Sequence, residues 1–110
     1  MDCLFCKIVT KEIPAKIEHE DVQTVVFYDI YPKAKTHLLI IPKKHISTMK
    51  ELEENDENLM GYLMKKAADI AKKLGLEDYQ LHINVGEKAG QMIFHLHVHL
   101  MSDSMVSGNF

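Results

Sequence analysis

The chain has 110 residues and a mass of 12.6 kDa, which fits one domain over residues 1–110, large enough to bury roughly 60–70% of the surface its unfolded form exposes. Apolar residues make up 46% and charged residues 26%, away from disordered and membrane compositions, and a net charge of −3 argues against a broad nucleic-acid-binding field. The start, Met1-Asp2-Cys3, has no basic or apolar signal segment, and the longest aliphatic run, LLII at 38–41, is far too short to cross a bilayer. A soluble cytoplasmic protein with no nucleic-acid or membrane partner is expected.

The first feature along the chain is CLFC, which holds both cysteines, Cys3 and Cys6. In an intracellular chain this spacing serves metal or redox chemistry more often than a disulfide, and a zinc ion bound here draws half its ligands from elsewhere. Ile17–Glu20 and residues 22–28 (VQTVVFY) are strand candidates, with a turn at Glu20-Asp21. Thr36–Pro42 (THLLIIP) is apolar on both phases and reads as a central strand stopped by Pro42. The spacing of Leu59, Met60, Leu63, Met64, Ala67, Ile70, Ala71 and Leu74 predicts one long helix. Asn55 or Asp56 can cap its start, Gly75 can end it, and Lys72 and Lys73 suit the negative end of its dipole. Residues 79–85 (YQLHINV) alternate as a strand, with Leu81, Ile83 and Val85 on one face and Gln80, His82 and Asn84 on the other. Residues 86–91 (GEKAGQ) connect it to the last strand, with Gly86 and Gly90 permitting close turns.

That last strand is FHLHVHLM at 94–101, where His95, His97 and His99 fall on one face and Leu96, Val98 and Leu100 on the other. The apolar faces of the two alternating strands offer a surface for the helix. The fold class is therefore α+β, a mostly antiparallel sheet with one long helix on one face and a polar, histidine-bearing face left open. A single histidine such as His19 or His82 is ordinarily an exposed or core-satisfied side chain. Three imidazoles on one face, costly to bury without partners, point to a task. Two chemistries compete: a catalytic zinc held by the row, with one position left for water, or a neutral imidazole acting as nucleophile on phosphorus while its neighbours bind the phosphate. Spacing alone does not separate them.

The run HLHVHLM resembles the His-φ-His-φ-His-φ-φ signature of the histidine triad (HIT) family, where φ is apolar. CLFCKIVTKEIPAKI, VVFYDIYPKAKTHLLIIPKKHI and NVGEKAGQ stand in the order and at the spacings of its small purine nucleoside phosphoramidase branch, so the resemblance covers residues 3–101. It implies a hydrolase that cleaves the P–N bond at the α-phosphate of an adenosine or guanosine monophosphoramidate through a nucleotidyl-His97 intermediate. The carbonyl of His95 would orient that ring, while His99 and His37 would meet the phosphate. Asp29 would accept from the ribose hydroxyls, Leu4, Phe5, Ile8, Phe27 and Ile30 would line the base pocket, and Asn84, Gly90 and Gln91 would form the polar wall around ribose and phosphate. A homodimer with the sheet extended across two subunits is implied, and no organic cofactor.

A subset of bacterial members of the family carries structural zinc, and the matching positions here are Cys3, Cys6, His45 and His95. One position departs from the pattern: Met92 stands beside the nucleotide site where the family commonly has serine or threonine, and methionine cannot donate a hydrogen bond. The alternatives to phosphoramidase are a nucleotide-binding regulatory protein with weak turnover and a catalytic zinc hydrolase using the histidine row.

Overall fold

The computed structural model describes residues 3–103. Its elements are α1 (Leu4–Val9), β1 (Ile17–Glu20), β2 (Thr24–Tyr28), β3 (Thr36–Pro42), α2 (Glu57–Lys73), β4 (Gln80–His82) and β5 (Val98–Ser102). The five strands form one antiparallel sheet in the order β1-β2-β3-β5-β4, so the α+β expectation holds and the long helix is α2. None of the helices among the described residues is long and apolar enough to cross a membrane.

Strand alternation gives the sheet two different faces. Val26, Leu38, Ile40, Val98 and Leu100 point to one side, where Leu63, Ala67, Ile70 and Ala71 of α2 cover them. Each large aliphatic side chain buried there contributes about 1.5–3 kcal/mol. Val25, Phe27, Leu39 and Ile41 point to the other side, where Phe5 and Ile8 of α1 form a second, smaller core. The histidine face is therefore not left open. The N-terminal segment folds back as a helix over one end of it, and His95 and His97 are buried.

Several boundaries differ from the sequence expectation, each for a local reason. The β1–β2 turn lies at 21–23 because Asp21 Oδ1 accepts hydrogen bonds from the backbone N–H groups of Gln23 and Thr24 and from the Thr24 hydroxyl, all at 2.9 Å. Asp56 stands at the N-cap position of α2, but its carboxylate turns back to the Glu53 N–H and the Lys44 ammonium instead of capping the helix. At the other end Gly75 adopts φ +73°, with Gly75 N–H bonded to Lys72 O and Leu76 N–H to Ala71 O, a Schellman closure that requires a left-handed residue. Strand β4 is only three residues long, and Leu81 is half-exposed on it rather than packed under α2. Strand β5 begins at Val98, so of the three alternating histidines only His99 lies in the ladder. The segment before it is drawn away by the bond from Leu96 N–H to Ile46 O and by the His95 ring, which reaches Pro42.

Asp21 also ties the sheet to α2, since its Oδ2 accepts from His19 Nε2 at 2.9 Å and from the Tyr62 hydroxyl at 2.8 Å. Burial alone would raise this carboxyl, but the bonds from His19, Tyr62, Gln23 and Thr24 outweigh it and hold the group well below the usual carboxylate range. A folded-state pKa below the unfolded value of about 3.9 gives stability that is fully present above that value and lost as pH falls through the folded one. Asp21→Asn is expected to destabilise the fold by about 1–3 kcal/mol at neutral pH, with the gap from wild type narrowing below about pH 4. Denaturant midpoints of both proteins at pH 7 and pH 3 check this, and an equal gap at the two values would count against it.

Candidate active site

Cys3 sits at the N-cap of α1, where its Sγ accepts from the Cys6 N–H at 3.4 Å, so one helical turn brings both sulfurs to the same side. There they meet two imidazoles from distant segments. Cys3 Sγ and Cys6 Sγ each lie 3.5 Å from His95 Nδ1, Cys6 Sγ is 3.2 Å from His45 Nδ1, and the two Nδ1 atoms are 3.2 Å apart. All four donor atoms fall within 4.8 Å of one another. Ligand distances of about 2.0–2.3 Å around a tetrahedral zinc ion imply donor-to-donor edges of about 3.3–3.8 Å, so this set fits such an ion. His95 Nε2 donates to Pro42 O at 2.7 Å, and because a carbonyl can only accept, the lone pair is on Nδ1, facing the cluster.

The same residue holds the next histidine. His97 Nδ1 donates to the backbone carbonyl of His95 at 2.7 Å, which leaves the lone pair on Nε2. Phe5 lies edge-on to the His97 ring, with centroids 5.2 Å apart. Burial pushes the His97 pKa down against the opposing pull of the His95 carbonyl, so the ring is neutral near pH 7.

His37 and His99 are polarised in the opposite sense. Lys33 N–H donates to His37 Nδ1 at 3.1 Å, so the neutral His37 ring carries its proton on Nε2, which is 2.9 Å from His99 Nδ1 and 3.5 Å from Asp29 Oδ2. His99 Nδ1 must then accept, and His99 presents an N–H at Nε2. Burial lowers His37, and burial together with His97, His82, His37 and Lys33 brings His99 down to about 3. The His97 and His99 rings are neighbours, edge to face with centroids 4.9 Å apart, one carrying its proton on Nδ1 and the other on Nε2. Asp29, His37 and His99 also have metal-ligand spacing, but the ring nitrogens that face one another there already satisfy each other, and His97 belongs to neither grouping among the described residues.

The remaining expected site residues are arranged around this centre. Phe5, Ile8 and Phe27 are buried together, with Leu4 and Ile30 exposed. Asp29 Oδ1 accepts from the Tyr31 N–H at 2.8 Å. Asn84 Nδ2 donates to Ala89 O at 2.8 Å, beside Gly90 at φ +91°, where a Cβ would stand 3.4 Å from that amide. The Gln91 amide is spent inside the loop: its Oε1 accepts from Gly86 N–H, and its Nε2 donates to Ser47 O and Ile93 O. Met92 is 86% exposed.

Two participants were not singled out from the sequence. Lys33 enters through its backbone N–H, which no side-chain pattern could signal. His82, read as an ordinary histidine, pairs directly with His99 across β4 and β5 and stacks on its ring at 4.4 Å. Its phase in the alternation was visible, but the strand register was not.

Residues 2–109 match the family model described as "Scavenger mRNA decapping enzyme C-term binding". The chain is 46% identical over 101 residues to protein HitA of Neisseria gonorrhoeae, covering 91% of this chain and 94% of that protein. Its fold superposes on a HIT family hydrolase from Legionella pneumophila with a TM-score of 0.91 and 41% identity, covering 98% of both chains. A histidine triad nucleotide-binding protein from Candida albicans gives a TM-score of 0.82 at 32% identity, covering 90% of this chain and 73% of that one. With matches of this extent, and the three alternating histidines gathered at one site, the chain belongs to the histidine triad (HIT) family.

Proposed function

We propose that the protein is a purine nucleoside phosphoramidase, a nucleotide hydrolase that cleaves the P–N bond at the α-phosphate of an AMP or GMP phosphoramidate. The observation that carries this reading is the opposite polarity of two adjacent rings: His97 offers an Nε2 lone pair and His99 an Nε2–H. In the proposed reaction His97 Nε2 attacks phosphorus, and the P–N bond breaks as the leaving nitrogen takes a proton from solvent. The nucleotidyl-imidazole keeps its Nδ1 proton on the His95 carbonyl, which steadies the positive charge the ring acquires. Water then attacks phosphorus, releases the nucleoside monophosphate and returns the lone pair to Nε2, its surplus proton passing to solvent. His99 stabilises charge on a phosphoryl oxygen through its Nε2–H, His37 supports it from behind by its bond to His99 Nδ1, Asp29 accepts from the ribose hydroxyls, and Leu4 and Ile30 hold the purine over the buried Phe5–Phe27 pair, whose ring centroids are 5.3 Å apart. Met92 supplies no hydroxyl to relay the leaving-group proton.

His97→Ala is expected to lower turnover of an adenosine phosphoramidate by at least about a thousandfold while leaving nucleotide affinity within a few fold. Mass spectrometry of the wild-type protein quenched during turnover should find the nucleotidyl adduct on His97. Retained activity in the variant would refute the nucleophile, and activity abolished by a chelator in a still-folded protein would favour metal-based catalysis. Slow turnover with tight nucleotide binding in the wild type would point to a regulatory nucleotide-binding role, which the missing hydroxyl at Met92 favours.

The Cys3, Cys6, His45 and His95 set is proposed to hold structural zinc. A closed four-ligand site leaves no position for substrate and supplies folding energy instead. No disulfide joins Cys3 and Cys6, and each sulfur lies 3.5 Å from His95 Nδ1. Elemental analysis should give about one zinc per chain, and the double variant Cys3→Ser, Cys6→Ser should lose the metal and melt at a lower temperature. Wild-type protein that stays metal-free and equally stable in ample zinc would exclude the site.

A homodimer is proposed through β4, whose outer edge pairs with no strand among the described residues and which carries exposed Leu81 next to exposed Tyr79. Light scattering should return about twice the 12.6 kDa of one chain, and a monomer at micromolar concentration would contradict the proposal.

A further inference from the structure

A single hydrogen bond to one ring nitrogen is a soft restraint on rotation of an imidazole about its Cβ–Cγ bond. His99 is held in this way by His37, through Nδ1 alone. Across β5 from His82 its strand neighbour is Leu39 on β3, which has no polar atom to steady a ring nitrogen, and His97 touches it only edge to face. The group lying flat on His99 is His82, with ring centroids 4.4 Å apart and planes 24° from parallel. The register places the two residues directly opposite one another on β4 and β5, on the site face of the sheet. His82 is half-buried, and the charge effects on His37, His97 and His99 all include it.

We propose that His82 is a positioning residue for the reaction: its ring clamps the plane of His99, so that the hydrogen bond from His37 and the stack from His82 together fix the direction of the His99 Nε2–H. The arrangement combines two weak constraints. The bond holds Nδ1 and the stack opposes rotation about the Cβ–Cγ bond, so the two reinforce each other in aiming the donor. An aimed donor acts on the transition state more than on the bound nucleotide, because the oxygens gain charge as phosphorus is attacked. The effect on turnover rests on the phosphoramidase reading. The effect on the His99 ring does not.

The test compares His82→Ala, which removes the ring, with His82→Phe, which keeps a flat face without polar atoms. In the free protein, NMR of labelled histidines should show His99 protonated at Nε2 in all three proteins, in one ring orientation in the wild type, with signals broadened by exchange between orientations in His82→Ala, and in one orientation again in His82→Phe. On an adenosine phosphoramidate, His82→Ala should lose about tenfold in kcat with KM within twofold, and His82→Phe should recover to within about threefold of wild type. A wild-type His99 signature in His82→Ala overturns the proposal, as does His82→Phe behaving like His82→Ala in that signature. Thermal melts of both variants identify a folding defect. If His97→Ala retains activity, the functional reading fails while the His99 signature still decides the role of His82.

Discussion

The site depends on one hydrogen bond, from His97 Nδ1–H to the carbonyl of His95 at 2.7 Å. Among the described residues it is the one hydrogen bond between the thiol–imidazole cluster and the His97 ring. The His95 side chain faces the thiols of Cys3 and Cys6 and the His45 ring, while its backbone sets the tautomer of His97. His95 is itself tied down at Nε2 by Pro42, the last residue of β3. A movement of the N-terminal cluster thus reaches the proposed nucleophile through the backbone of His95. Phe5 gives a second link, since it is in the first turn of α1 beside Cys6 and its ring lies against both His95 and His97.

A second chain of bonds enters from the opposite side, from the Lys33 N–H through His37 to His99. Its direction is dictated by the backbone at its start, because an amide can only donate. The two chains end on neighbouring rings with opposite polarity, one started by a carbonyl and the other by an amide. The difference between a lone pair on His97 and a donor on His99 therefore comes from main-chain geometry, not from any difference in side-chain chemistry. Three identical residue types acquire three different tasks by what holds the far nitrogen of each ring.

Much of this was legible in the sequence where a period or a short motif carries it. The stripe from Leu59 to Leu74 located α2, the apolar run at Thr36–Pro42 located the central strand, and the alternation of FHLHVHLM put its three histidines on one side. What failed was whatever depends on partners. Strand β5 begins later than the alternation because His95 and Leu96 bond to Pro42 and Ile46 instead of continuing the ladder. Strand β4 stops at His82, although the pattern runs to Val85, since the chain turns away into the loop held by Gln91. The helix over LFCKIV was not anticipated, because its short apolar face becomes meaningful only against Phe27 and Leu39. The candidate residues were found by resemblance, but the role of His82 needed the register, which sequence periodicity leaves open.

Burying so many imidazoles is tolerable only because the bonds are arranged for neutral rings. An unpaired buried donor or acceptor costs about 1–3 kcal/mol, and in the His37–His99 pair each facing nitrogen is matched, donor to acceptor. Protonating His99 puts a hydrogen on Nδ1 opposite the Nε2–H of His37, turning a bond into a repulsion. The His99 pKa falls to about 3 mainly through burial, with charge repulsion from His97, His82, His37 and Lys33 adding to it. The linkage follows with a definite sign. A histidine whose folded pKa lies below its unfolded value of about 6.5 resists protonation more in the folded state, so its contribution to stability is full above that value and is lost as pH falls toward the folded one. Asp21 loses its own contribution only below about pH 4, so on acidification the histidine cluster weakens first and the tie between sheet and helix afterwards. The neutral rings that the His37–His99 bond favours are also what the proposed attack by His97 Nε2 requires.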